Sequence, residues 1–235
     1  MSENLDITTE LVGVTVLDTI GLVIANVDKK LREQMALPIE YSSLGLISSR
    51  TGAAGQIVAC DEAVKAANVK VVTIDLPRDT KGWGGHGCYI VLAATNVEDV
   101  RYAVKIALAF IKKNAGEVHI SQAGHLEFAF SPNAGEVLHQ AFNVPYGKSF
   151  GFLAGSPAAI GQVMTDTALK TANIDICRYL TPSIGTSHSN EVILAFSGTV
   201  SAVKEAVIQA KRIGMSLLAS MGSSPESPST PFLII

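Results

Sequence analysis

The side chains able to do chemistry gather in two short stretches rich in glycine and serine. DTKGWGGHG runs from Asp79 to Gly87, and PSIGTSHSN from Pro182 to Asn190. In the first, Gly82, Gly84, Gly85 and Gly87 permit close backbone approach and expose N–H donors, with Lys81 and His86 beside them. In the second, Gly185 precedes Thr186, Ser187, His188, Ser189 and Asn190, a run of neutral donors and acceptors. Such groups would hydrogen-bond a small polar molecule. From spacing alone an ordinary surface turn explains both stretches more simply. Trp83 reads either as a hydrophobic gate or as an aromatic lying on its own subunit's surface. A hydrolase built on His86 or on Ser187-His188 would need a nucleophile elbow and a carboxylate behind the histidine. Ser187 does not lie in a G-x-S-x-G, and neither histidine has an obvious carboxylate partner.

Other groups exclude more than they suggest. The five histidines have no ligand spacing such as H-x-x-x-H, so no zinc site is expected. Thr51 to Gln56, TGAAGQ, resembles a loose phosphate loop but lacks the Lys-Ser/Thr that such a loop requires, and it reads as a glycine-rich helix entry. Cys60, Cys88 and Cys177 form no C-x-x-C pair, which fits reduced thiols in the cytosol. Cys88, followed by apolar Tyr89 to Leu92, reads as the start of a buried strand. A net charge of -3 without a basic cluster argues against nucleic acid and anionic membranes, and no apolar run is long enough to span a bilayer. The N-terminus shows no signal-peptide pattern. With 48% hydrophobic residues and few aromatics, the chain has more apolar material than a lone soluble domain needs, which points to surface buried between subunits.

The elements that must position these stretches occur twice. DEAVKAANV, Asp61 to Val69, matches DTALKTANI, Asp166 to Ile174, and the match extends to Gly45 with Gly151 and to Gly55-Gln56 with Gly161-Gln162, with one extra residue in the first copy. Pro77 aligns with Pro182, and Val97, Val100 and Ala103 with Val200, Val203 and Ala206. This is duplication of a whole domain, with expected bounds 11–115 and 116–222 and a mobile Ser/Pro-rich tail at 223–235. In each copy a strand (Leu44–Ser48; Phe150–Ala154) leads to an amphipathic helix (Ala53–Ala67; Pro157–Ala172) and a returning strand (Val69–Leu76; Ile174–Leu180). The glycine- and serine-rich stretch follows, then a strand (Tyr89–Ala94; Glu191–Ser197) and a second helix (Val97–Lys113; Val200–Ala219). The basic residues Lys112, Lys113, Lys211 and Arg212 are expected near the helix ends. Ahead of each unit comes extended structure (Val12–Val27; Glu117–Phe130) and a helix (Asp28–Met35; Ser131–Phe142), closed by Leu37-Pro38 and Val144-Pro145. The expected fold class is α/β in the α+β sense: two tandem, permuted, ferredoxin-like split βαβ domains. Asn68 and Asn173 suit left-handed helix C-caps.

The stretch SLGLISSRTGAAGQIVACDEAVKAANVKVV, Ser43 to Val72, and its second copy resemble the signature of the bacterial microcompartment shell-protein family. The early extended element, together with GLVIANVD, LPRDTKG, AGH and GTSHSNEVIL, is similar to the tandem, circularly permuted, trimeric branch found in propanediol-utilisation compartments. The resemblance implies a non-enzymatic, cofactor-free homotrimer whose six domains imitate a hexagon. It would tile edge to edge with other shell proteins around encapsulated enzymes. The resemblance turns Lys81, Gly82, Trp83, Gly84, Gly85, His86, Gly87, Gly185, Thr186, Ser187, His188, Ser189 and Asn190 into linings of openings for diols, alcohols, glycerol or aldehydes. It sets Lys65, Asn68, Lys170 and Asn173 at the tile edge. Some tandem relatives hold an iron-sulfur cluster on the axis, a role against which the buried-strand reading of Cys88 stands. Some relatives carry a longer N-terminal extension associated with cargo attachment, and no enzyme-tethering role is expected of Met1 to Glu10. A metabolite-binding regulatory oligomer with ferredoxin-like domains is the rival reading.

Overall fold

A computed structural model describes residues 9–78, 86–115, 117–222 and 224–228. The first half builds β1 (Thr9–Thr15), β2 (Thr19–Ile24), α1 (Lys29–Gln34), β3 (Ser43–Ser49), α2 (Ala54–Ala66), β4 (Lys70–Asp75), β5 (Cys88–Ala94) and α3 (Val97–Asn114). The second repeats the order as β6 (Val118–Ser121), β7 (Gly124–Ser131), α4 (Glu136–Phe142), β8 (Ser149–Ser156), α5 (Ala158–Thr171), β9 (Ile174–Leu180), β10 (Val192–Gly198) and α6 (Val200–Ala219). Each half is one antiparallel five-stranded sheet, ordered β1-β2-β3-β5-β4 and β6-β7-β8-β10-β9. The mixed α/β class expected from the sequence is therefore present twice.

The leading extended segments divide into hairpins that the sequence reading left whole. β1 pairs β2 from Thr9↔Ile24 to Thr15↔Thr19, around a tight turn at Leu17 and Asp18, both at positive φ. Within β8 the alternation of side chains explains the layering. Phe150 and Phe152 turn to one face and meet Phe142 of α4, the first stacked at a ring distance of 5.4 Å and the second tilted at 5.5 Å. Leu153 turns to the other face and joins the core under α5 and α6. Gly151 also faces that side, where an added Cβ would come within 2.4 Å of Phe196. Its counterpart Gly45 lies 2.9 Å by the same measure from Val104, so the repeated glycine marks close approach of helix to sheet.

Several expectations change. The additional residue of the first copy lies in the β3–α2 loop, so Gln56 stands where Gly161 stands, not where Gln162 does. There Gln56 Nε2 bonds to Ser49 Oγ at 3.3 Å, while Gly161 packs directly on Gly155. Helix α4 starts at Glu136 and not at Ser131, because Pro132 to Ala134 turn ahead of it. The C-caps of α2 and α5 are Ala67 and Ala172 in extended conformation; Asn68 and Asn173 follow them outside the left-handed region, which Asn143 occupies at the end of α4. Lys211 is not a dipole-facing residue at a helix end but lies buried in α6, 2.8 Å from Glu117. In the tail, Glu226 exchanges two backbone hydrogen bonds with Ile120 of β6, so this point is tied to the second sheet.

Candidate functional site

The β4–β5 and β9–β10 connections, which hold the two polar stretches, occupy equivalent places in the two sheets. Lys81, Gly82, Trp83, Gly84 and Gly85 lie outside the described residues. His86 and Gly87, at the entry to β5, are buried. A Cβ at Gly87 would sit 2.2 Å from the Ser49 carbonyl oxygen, so only glycine fits.

The second connection is a knotted turn. Thr181 and Ile184 exchange backbone hydrogen bonds of 2.8 and 2.9 Å, and His188 N donates to Pro182 O at 2.9 Å. Buried Thr186 donates its hydroxyl to Thr181 O at 2.7 Å, and buried Ser189 closes the turn from inside. Ser187 and His188 hold φ values of 51° and 64°, a conformation that costs about 1–2 kcal/mol for residues with a Cβ. Gly185, Ser187, His188 and Asn190 face solvent. Asn190 Oδ1 accepts the Ala158 N–H at 3.0 Å and so caps α5 within its own domain.

The two connections meet at a seam between the domains. Glu191, 1% exposed, forms ion pairs with His125 Nε2 at 2.9 Å and with His86 Nδ1 of the first domain. Burial would raise the Glu191 pKa, but the two histidines outweigh it and hold the carboxyl below its ordinary value. Close by, Glu127 Oε1 accepts the N–H groups of Ala53 and Ala54, at 2.9 and 2.7 Å, across the seam. Here burial wins over those bonds, and the Glu127 carboxyl is pushed up. Farther along, Asp61 of α2 accepts N–H bonds from Gly135, Val137 and Leu138 at the start of α4. It also holds Lys65 at 2.8 Å. Burial alone would lower the Lys65 pKa, yet Asp61 and Glu62 raise it.

The two expected edge lysines thus differ. Lys65 is held by Asp61, by Glu62 and by the Asn133 carbonyl oxygen at 2.5 Å, whereas Lys170 extends into solvent and pairs with exposed Asp166 at 2.6 Å. Sequence reasoning found no carboxylate for His86, because Glu191 lies in the other domain and no local spacing announces it. It also missed a second buried group, in which Glu117 meets both Lys211 and His119. Cys88 opens β5 fully buried, and burial pushes its thiol up to about 11 against the opposing bonds to Ser49. Among the described residues no cluster of His, Cys, Asp and Glu fits a metal ion, and no helix is long and apolar enough to cross a membrane.

The duplicated sheet, with its paired loops and shared seam, matches one family twice: the BMC domain model covers residues 43–123 and 149–226. The chain belongs to this family. It is 47% identical over 219 residues to the bacterial microcompartment shell protein PduB of Citrobacter freundii, covering 93% of this chain and 81% of the relative. The PduB shell protein of Limosilactobacillus reuteri is 42% identical, covering 92% and 91%. A crystal structure of a trimeric shell protein PduB superposes with a TM-score of 0.89 at 40% identity, over 95% of this chain and 99% of that one. EtuB from Clostridium kluyveri gives 0.91 at 45%, over 95% and 98%. The expected family, the tandem BMC domains and the propanediol-utilisation kinship are thus established, and the chain is a structural component of a microcompartment shell.

Proposed function

We propose that three copies of this chain close into a ring of six near-equivalent domains, 11–115 and 116–222 of each, which tiles with other shell proteins and passes small polar metabolites. One observation carries the reading: the chain contains one copy of a seam whose two faces recur, uncovered, at its ends. Inside the chain, α4 is clasped between its own sheet and α2 of the first domain, and buries Val137, Leu138, Ala141 and Phe142. Its counterpart α1 buries nothing, and Leu31 and Ile39 beside it are 45% and 81% exposed. The counterpart of α2 is α5, which with β9 leaves Val163, Leu169, Ile176 and Tyr179 open to solvent. Each end offers what the other lacks. Repetition of the internal seam between chains joins them head to tail, and a two-domain chain repeating a sixfold step closes after three copies.

In that ring the two polar connections line openings, with Gly185, Ser187 and His188 presenting neutral or weakly basic groups to diols, glycerol or aldehydes. The chain carries out no chemistry of its own in this reading and needs no cofactor; it encloses the enzymes of the compartment. Sedimentation tests the ring: the chain should run as three times 24.7 kDa. For passage, His188→Trp should slow metabolite flux across assembled shells while leaving the ring intact. Unchanged flux would remove this turn from the lining.

A further inference from the structure

At the open end of the first domain lies a pocket of about 570 Å³ whose polar lining is Thr15, Asp18, Thr19, Ser48, Ser49 and Arg50. The Thr15 hydroxyl oxygen there is buried without a hydrogen-bond partner. We propose that this pocket receives Asn190 of a second copy, whose side-chain amide donates to Asp18. The proposal rests on the ring reading and names the contact that would close it.

The internal seam supplies the template. Ile20 pairs with Ser48 in β3, and Glu127 pairs with Ala154 at the same step of β8, so Asp18 stands where His125 stands in the second domain. His86 and Asn190 each lie two residues ahead of equivalent strands, β5 and β10. Within the chain, His86 reaches His125 through the Glu191 carboxylate. Between copies the middle residue would be Gly87, the counterpart of Glu191, which has no side chain to offer. The carboxylate must then come from the residue in the His125 position on the same face, and Asp18 provides it, already oriented by the Thr51 hydroxyl at 2.9 Å. Asn190 brings the matching donor: its Oδ1 is engaged with Ala158 N–H, and its Nδ2 is left to point outward. Ile20 fits the same scheme. It replaces Glu127, and the Ala158 N–H, the counterpart of one of the two that Glu127 accepts, is already capped by Asn190.

Asn190→Asp separates this contact from the fold, since the new side chain keeps an oxygen for Ala158 N–H but sets a second carboxylate against Asp18. By sedimentation velocity over a concentration series, the trimer dissociation constant of N190D should rise at least about tenfold. Adding Asp18→Asn to that variant exchanges donor and acceptor and should return the constant to within roughly threefold of the wild type. Wild-type affinity in N190D, or no recovery in the double variant, overturns the contact and leaves the ring standing. A wild-type chain that stays monomeric at every concentration overturns the ring itself, and the contact with it.

Discussion

The two domains finish their helices in different ways. In the first, α2 begins on N–H groups bonded to Glu127 of the other domain, while α1 is capped by its own Asp28, at 2.8 Å to Lys30 N. In the second, α4 begins on N–H groups bonded to Asp61 of the other domain, while α5 is capped locally by Asn190. Both helix ends at the internal seam borrow a carboxylate from across it, and both at the chain's outer faces are self-sufficient. A surface permanently covered can share its polar groups with its cover. One that must exist in water before assembly needs its donors satisfied at home. The internal seam is therefore built as a permanent contact, and the outer faces are satisfied without a partner.

Substitutions at equivalent positions sharpen the contrast. Asp61→Ala strips three N–H groups of their acceptor and Lys65 of its buried partner, and should cost about 3–5 kcal/mol in urea unfolding at fixed protein concentration. Asp166→Ala, its counterpart in an exposed pair, should change stability by under about 0.5 kcal/mol. Equal losses would end the distinction between the seams. Glu191→Gln comes next, at roughly 2–3 kcal/mol, since two buried histidines lose their carboxylate. Because the Glu191 pKa is depressed on folding, its contribution is present above the unfolded value and disappears as pH falls through the folded one. Melting temperature measured from neutral to acid pH should show a shallower acid limb in E191Q than in the wild type. Glu127 works in the opposite sense: its raised pKa adds stability below the unfolded value that is lost as pH rises through the folded one, so E127Q should flatten the upper part of the same curve.

Gly161→Ala probes the domains' interiors. Its Cβ would lie 2.7 Å from Gly155 O and 2.9 Å from Val192 O, and a loss of about 1–3 kcal/mol is expected from crowding. The equivalent site holds Gln56, and Gln56→Ala should cost less, about 1 kcal/mol, through bonds lost to Ser49 and Thr19. The smallest expected effect is Lys170→Ala, within about 0.5 kcal/mol for the isolated chain, with a defect confined to sheet formation seen by negative-stain microscopy.

Much of the fold was legible because it is written in local periodicity. β9 and α6 fall within the bounds the sequence sets for them, and the match of DEAVKAANV with DTALKTANI disclosed the duplication. What escaped was non-local. The α4 start depends on Asp61 and the α2 start on Glu127, each about 74 residues away, and Lys211 read as a helix-end base where the fold buries it against Glu117. Of the polar turn, the sequence showed the composition but not its orientation. Thr186 and Ser189 point inward because Ser187 and His188 take left-handed conformations that their types do not advertise.

The Asp61 carboxylate makes the union of the halves a one-way step. A second half severed from the first would present three bare amide hydrogens at the head of α4, with no side chain of its own in reach, as the N-cap there is Gly135. In the first half Asp28 meets the same need locally for α1. The second half expressed alone should therefore hold α4 less firmly than the intact chain does, until a side-chain cap is restored at Gly135.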